Sequence, residues 1–169
     1  MKIPPLPSEV LRRLLRVAKF DGMSVLGVAG AFALVSAASR DVSGAVIGLL
    51  VAAAGAIELH GVGLLRGGLS SGLRWLVSSQ LYLMAVMLVY VGMRFGNPDI
   101  GAIRPIVNAD LESQIKLAGM TVDDFLLEFL RLVYLAVGAA TILYQGGMTV
   151  YYLRRRAAVE AAVQGGEFS

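Results

Sequence analysis

The sequence of 169 residues lacks cysteine altogether and has a single histidine, His60. The absence of cysteine excludes disulfides, thiolate metal sites and thioether haem attachment. One histidine also excludes a haem with two histidine ligands, or a multi-histidine zinc site, within one copy of the chain. There is no Ser-His-Asp grouping, phosphate-binding loop or His-Glu-x-x-His motif. The sequence therefore predicts no metal and no cofactor, and it gives no positive argument for an enzyme.

Charged residues are scarce. They make up 16% of the chain, against about 25% in average proteins, and the mean hydropathy is +0.72. Four long apolar stretches account for this composition, at about 22–39, 42–66, 73–95 and 121–156. A helix of about 20 residues crosses a hydrocarbon core of about 30 Å, so each stretch can form one transmembrane helix. The sequence predicts an all-α polytopic membrane protein.

Short connections join most of these stretches. Only residues 40–41 separate the first two, and only 67–72 separate the next two, so sequential helices must pack as neighbours. The simplest arrangement is an up-down-up-down four-helix bundle. We expect a single membrane domain over 1–163 and a flexible tail at 164–169. No room remains for a separate soluble domain, which needs at least about 50 residues.

Three further helical features are expected outside the spans. Residues 8–20 have leucines on one helical face and basic residues on the other, which is typical of an interfacial amphipathic helix. The Asp21-Gly22 dipeptide predicts a break between that helix and the first span. In the long third connection, residues 109–118 can form a short outer helix. The last helix is expected to begin at Thr121 and to run unbroken to about Val163, well beyond the bilayer.

The distribution of basic residues is more informative than the formal net charge of +3 or the pI near 9.4. Because these residues flank membrane spans, they predict an orientation in the membrane rather than binding to nucleic acid. One side holds Lys2, Arg12, Arg13, Arg16, Lys19, Arg66, Arg74, Arg154, Arg155 and Arg156, and the other holds Arg40, Arg94, Arg104, Lys116 and Arg131. The positive-inside rule then places both termini in the cytoplasm of a bacterial-type plasma membrane.

Polar side chains inside the spans are the candidates for function. If each span is centred in the bilayer, four of them share one layer roughly 4 to 6 Å to the cytoplasmic side of the midplane: Ser24, Glu58, Gln80 and Gln145. Thr141 lies on the polar face of the last span, and His60 lies about half a turn deeper than Glu58. A carboxylate in hydrocarbon by default marks an ion or proton path. The alternative is a hydrogen-bonded Glu58 that only fixes the register of the helices.

Spacing predicts structural roles for other residues. Glu128 and Arg131 are three apart on one helix, close enough for an ion pair. A stripe of small residues that permits close helix packing, within the bundle or between copies, contains Gly44, Gly48, Ala52 and Ala56. Contact with lipid headgroups is expected for the basic residues Arg12, Arg13, Arg16, Lys19, Arg154, Arg155 and Arg156.

Two classes of function remain open from the sequence. The first is an oligomeric ion channel or ion-coupled transporter, with a polar path along the fourth span and Glu58. The second is a non-transporting membrane scaffold or accessory subunit that binds a partner protein or lipid. A membrane enzyme acting on lipid ranks third. The expected partners are the lipid bilayer and further copies of the chain, and the sequence identifies no soluble partner.

Overall fold

The computed structural model describes residues 6–101 and 103–165, and these residues contain no β-strand. The helices are α1 (Pro7–Ala38), α2 (Val42–Arg66), α3 (Gly72–Gly96), α4 (Ala109–Leu117), α5 (Val122–Arg154) and α6 (Arg156–Gln164), with a short 3-10 helix at Arg104–Ile106. Four of them, α1, α2, α3 and α5, are long and apolar enough to span a membrane. The predicted all-α class is confirmed for the described residues, and the four long apolar helices fit a multi-pass membrane protein. Lys2 and residues 166–169 of the predicted tail lie outside the described residues.

Helix α1 is continuous over 32 residues, so the break predicted at Asp21 and Gly22 is wrong. At about 1.5 Å per residue the helix is about 48 Å long, well beyond a hydrocarbon core of about 30 Å. The absence of a side chain at Gly22 lets α2 approach, since a β-carbon there would lie 3.1 Å from Leu59 and 3.2 Å from the Gly55 carbonyl oxygen. The Asp21 carboxylate is hydrogen-bonded within the protein. These contacts outweigh the cost of glycine in a helix, about 1 kcal/mol.

The predicted unbroken last helix is also wrong, because α5 stops at Arg154 and a separate α6 follows. Arg155 leaves helical geometry at φ −98° and ψ 2°. Its guanidinium stacks on the Tyr151 ring, 3.9 Å from the ring centroid. The turn brings Val159 and Ala162 of α6 into the apolar core beside α1. Burial of this apolar face offsets the helical hydrogen bonds that are lost at the turn.

The described residues divide into two compact units. The first extends up to Val86 and resumes at Ile142, so it includes α1, α2, α6, the start of α3 and the end of α5. The second consists of residues 87–141, with the end of α3, all of α4 and the start of α5. The buried polar residues that form the candidate site belong to the first unit.

Helices α1 and α2 form the principal helix pair of the first unit. Gly22 lies against Gly55, and Ala33 lies against Gly48, so early residues of α1 meet late residues of α2. This order of contacts is that of an antiparallel hairpin. At the turn between the two helices, Asp41 accepts a hydrogen bond of 2.9 Å from an α2 amide and so caps the helix.

The apolar core of the first unit lies where α1 begins. Its members come from every helix of the unit, and the fully buried ones are Leu11, Leu14, Ala18, Leu65, Leu76, Tyr152 and Val159. Removing each leucine or valine side chain from water contributes about 1.5 to 3 kcal/mol. The apolar face of residues 8–20 is therefore buried against protein, while its basic face is exposed. The location of this segment in the headgroup layer stays a prediction.

Polar caps and ion pairs organise the second unit. Asn108 caps α4, because its side-chain oxygen accepts a hydrogen bond of 2.9 Å from an α4 amide. Lys116 and Glu112 form an ion pair of 2.7 Å on the same helix, and the Lys116 ammonium lowers the pKa of that carboxyl. Arg104 forms a second pair with Asp123 of α5, at 2.9 Å. These contacts fix the connection that precedes α5.

Candidate functional site

A buried amide joins two carboxylates from different helices. Gln80 on α3 donates hydrogen bonds from Nε2 to both carboxylate oxygens of Glu58 on α2, at 3.1 and 3.0 Å. The same nitrogen donates to Oδ2 of Asp21 on α1, at 2.9 Å. Three helices therefore meet at one amide group.

Two tyrosines of α5 complete this group. The Tyr144 hydroxyl donates to Oδ1 of Asp21 at 2.7 Å, and the Tyr152 hydroxyl donates to Oε1 of Glu58 at 2.6 Å. The two tyrosines are about two turns apart along α5, so each reaches a different carboxylate. We refer to Asp21, Glu58, Gln80, Tyr144 and Tyr152 as the carboxylate cluster.

Glycines next to the cluster set the distance between its helices. A β-carbon on Gly55 would lie 2.6 Å from the Gly22 carbonyl oxygen and 2.6 Å from the Leu26 amide nitrogen, so α1 and α2 touch through their backbones. A β-carbon on Gly61 would lie 2.9 Å from the Gly72 carbonyl oxygen, where α2 meets the start of α3. Such close approach brings short side chains from three helices within hydrogen-bond distance of one another.

The cluster is nearly closed to its surroundings. Asp21 is 7% exposed, Glu58 is 2% exposed and Gln80 is 1% exposed. In the part of the chain that the structure describes, no lysine, arginine or histidine is buried, and the donors to both carboxylates are neutral. Two carboxylates that share one donor in a low-dielectric site repel each other strongly. A proton or a bound cation between the two carboxylates would relieve this repulsion.

The residues predicted from the sequence to share one layer are only partly brought together. Glu58 and Gln80 are in contact, and Gln145 is buried in the same unit, with a side-chain oxygen that has no hydrogen-bond partner among the described residues. Ser24 and His60 are exposed, and the His60 ring packs edge-on against an aromatic ring at 5.0 Å. Thr141, in the second unit, donates to the backbone carbonyl four residues earlier at 2.8 Å.

Sequence reasoning missed Asp21, Tyr144 and Tyr152 as members of this group. Helical periodicity could have identified Asp21 as a buried residue. It lies three residues after Ala18 and seven after Leu14, and therefore on the buried face of α1. Helical register also places Tyr152 seven residues after Gln145, on the buried face of α5. Tyr144 gave no such signal, since its ring is partly exposed and only its hydroxyl reaches the cluster.

The predicted stripe of small residues faces α1 over part of its length. A β-carbon on Gly48 would lie 2.8 Å from the Ala33 side chain, and one on Gly44 would lie 2.6 Å from the Ser36 hydroxyl. Ala52 is buried, whereas Ala56 is exposed.

The charged residues predicted to have structural or headgroup roles lie at the surface. Arg131 donates to Glu128 at 2.9 Å, in an exposed ion pair. Arg156 pairs with Glu160 at 2.8 Å, and Arg155 stacks on Tyr151. The remaining predicted headgroup residues are all exposed: Arg12, Arg13, Arg16, Lys19 and Arg154.

The atoms that the cluster could offer as ligands indicate which kind of ion it could hold. Every atom that the cluster offers to a cation is an oxygen, and hard cations prefer oxygen ligands. The described residues contain no group of three or more His, Cys, Asp or Glu side chains that could hold a metal ion.

Comparison of the chain with protein-family models, with curated proteins and with solved structures found no match.

Proposed function

We propose that this membrane protein is a small ion-coupled transporter or channel that moves protons or small monovalent cations, with Asp21 and Glu58 as its ion-binding pair. The observation that carries the proposal is the pair itself: two buried carboxylates bridged by Gln80, with no buried basic residue among the described residues. Ionisable side chains inside membrane spans by default mark ion or proton paths.

The identity of the ion follows from the chemistry of the pair. Two carboxyl groups can share one proton, whereas a metal cation takes several oxygen ligands, six or more for a divalent ion. The Gln80 amide oxygen is buried and has no hydrogen-bond partner in the described part of the chain, so it is available as a further ligand. The proton is our first candidate because it needs no coordination shell.

The proposed path runs along the polar face of α5. Gln145 lies on this helix seven residues before Tyr152, so its helical spacing continues the line of polar groups within the first unit, and Thr141 stays a candidate from its spacing in the sequence alone. Both side chains are buried. Because these side chains are buried, the proposed path lies within one copy, and we propose that further copies of the chain associate with it, each keeping its own path.

We propose the following membrane orientation for this path. The four spans run up-down-up-down, with both termini and the turn at 67–72 in the cytoplasm and the connection at 94–120 outside. The basic residues near the termini support this orientation by the positive-inside rule. The membrane would be the plasma membrane of a bacterial-type cell.

A second candidate has a specific observation in its favour. The cluster is filled by its own side chains, and each carboxylate is already hydrogen-bonded from two directions. Groups of this kind can simply hold four helices in register, as expected for a membrane scaffold or accessory subunit. In that role Glu58 would be a structural residue.

Ion flux in proteoliposomes separates the two candidates. The purified protein is reconstituted in vesicles that contain a pH-sensitive dye, and a membrane potential is then imposed. We expect proton flux above empty vesicles for the wild type and for Asp110→Asn, which removes an exposed carboxylate outside the cluster. Glu58→Gln keeps the size of the side chain and should abolish that flux. Flux in Glu58→Gln equal to wild type, or no flux of protons or alkali cations in the wild type, supports the scaffold.

A further inference from the structure

A basic groove of about 850 Å³ lies along the first turns of α1 and reaches the end of α2. Three of its basic side chains, Arg12, Arg16 and Lys19, are spaced four and three residues apart, and therefore share one face of α1. The fourth is Arg66, the last residue of α2. Glu9 is the one acidic residue in its lining. The groove consequently carries an excess of positive charge.

The basic residues of the groove are not neutralised by the part of the protein that the structure describes. Over residues 6–101 and 103–165, none of the four forms an ion pair with a carboxylate. Arg131 and Arg156, elsewhere in the chain, each have a carboxylate partner. Several unpaired cations around one groove attract an anion, and arginine in particular matches the geometry of a phosphate group.

The groove becomes apolar toward the middle of α1. Phe20, which is 76% exposed, and Met23, which is 54% exposed, line it beyond the basic residues. Arg16, Phe20 and Met23 are spaced four and three residues apart, so they continue the face that carries the cations. Leu6 and Leu15 also line the groove, but beyond Lys19 its α1 lining is apolar only, and this apolar end below the basic residues matches an acyl chain below a phospholipid headgroup.

The groove is built on a helix that the core holds in place. Leu11, Leu14 and Ala18, on the opposite face of these turns, are 0% exposed. The basic side chains therefore project from a fixed helix rather than from a mobile terminus. A site on a fixed scaffold loses less conformational entropy when it binds its ligand.

We propose that this groove binds one anionic phospholipid, with its phosphate among Arg12, Arg16, Lys19 and Arg66 and an acyl chain along Phe20 and Met23. The apolar wall favours a lipid over a free phosphate, because a soluble anion makes no use of it. This is a defined site, unlike a general attraction of basic residues to the headgroup layer. It is independent of ion movement through the carboxylate cluster.

Native mass spectrometry of the delipidated protein in detergent tests the proposal. Phosphatidylglycerol and phosphatidylcholine with the same acyl chains are added in separate titrations. We expect one phosphatidylglycerol to bind at least about tenfold more tightly than phosphatidylcholine. Arg16→Gln should weaken its binding about fivefold and Arg16→Gln with Arg66→Gln about 25-fold, taking the usual contribution of each basic residue near an anionic lipid.

Arg13→Gln is the matched control, because Arg13 is exposed on the same helix but does not line the groove. It should change phosphatidylglycerol binding by less than about twofold. Phe20→Ser should weaken binding of the lipid, and millimolar glycerol phosphate should not displace it. The proposal would be overturned if Arg13→Gln weakened phosphatidylglycerol binding as much as Arg16→Gln. Equal affinity for phosphatidylglycerol and phosphatidylcholine, or displacement of phosphatidylglycerol by glycerol phosphate, would also overturn it.

Discussion

The Tyr152 hydroxyl donates a hydrogen bond of 2.6 Å to the Glu58 carboxylate and so connects α5 to α2 inside the buried core. Tyr152→Phe removes this bond and leaves no cavity, because the ring remains. Hydrogen bonds between membrane helices average about 0.6 kcal/mol and reach about 1.7 kcal/mol. We expect Tyr152→Phe to lower the free energy of unfolding by an amount in this range, measured by thermal melting in detergent.

Tyr151→Phe is the matched control for that substitution. The Tyr151 hydroxyl is buried and has no hydrogen-bond partner in the described part of the chain, and an unpaired buried hydroxyl is itself destabilising. Its loss should leave the melting temperature unchanged or raise it. If Tyr151→Phe lowered the melting temperature as much as Tyr152→Phe, the hydrogen bond to Glu58 would not be the cause of the lower stability.

The backbone contact between Gly55 and Gly22 predicts a strong dependence on residue size. Gly55→Ala places a methyl group 2.6 Å from the Gly22 carbonyl oxygen, and overpacking of this kind typically costs about 1 to 3 kcal/mol. At Gly27, on α1, the same change meets no atom within 4 Å. Gly27→Ala should therefore be neutral or stabilising, because alanine favours the helix. Equal melting temperatures for the two variants would contradict the close packing of α1 and α2.

Docking of α6 should protect the arginines that precede it from protease. Val159 is 0% exposed in the core, whereas Ala157 on the same short helix is exposed. Val159→Asn buries an amide at a cost of about 1 to 3 kcal/mol and should release α6, so that trypsin cleaves faster at Arg154, Arg155 and Arg156. Trypsin should cleave Ala157→Asn at the wild-type rate. Equal cleavage rates for Val159→Asn and Ala157→Asn would mean that the docking of α6 does not depend on burial of Val159.

Hydropathy is sufficient to predict four helices long and apolar enough to span a membrane, and the fixed rise of a helix is sufficient to place Glu58 and Gln80, which are in contact, at matching positions on α2 and α3. They do not determine how each helix is rotated, so Ser24, which the sequence predicts to share a layer with Glu58, is exposed. The Asp21-Gly22 dipeptide predicts a turn on local preference alone. Its helical structure depends on the approach of Gly55, a tertiary contact with no local signal.

The proposed orientation can be tested with single cysteines, because the natural chain has none. Ser71, in the turn between α2 and α3, and Ser113, on α4, are both exposed. In intact cells an impermeant thiol reagent should label Ser113→Cys and should label Ser71→Cys only after the membrane is permeabilised. Labelling in the opposite order would reverse the orientation of the spans.

In the proposed function, Asp21 and Glu58 together bind the ion that the protein moves. The most direct measurement is proton and alkali-cation flux in proteoliposomes of the double variant Asp21→Asn with Glu58→Gln, alongside its melting temperature. Replacing two buried carboxylates that share one donor by amides of the same shape should leave the fold at least as stable as the wild type. We predict no flux above empty vesicles and an unchanged or higher melting temperature. Flux at the wild-type rate through this double variant would mean that ion movement does not depend on Asp21 and Glu58.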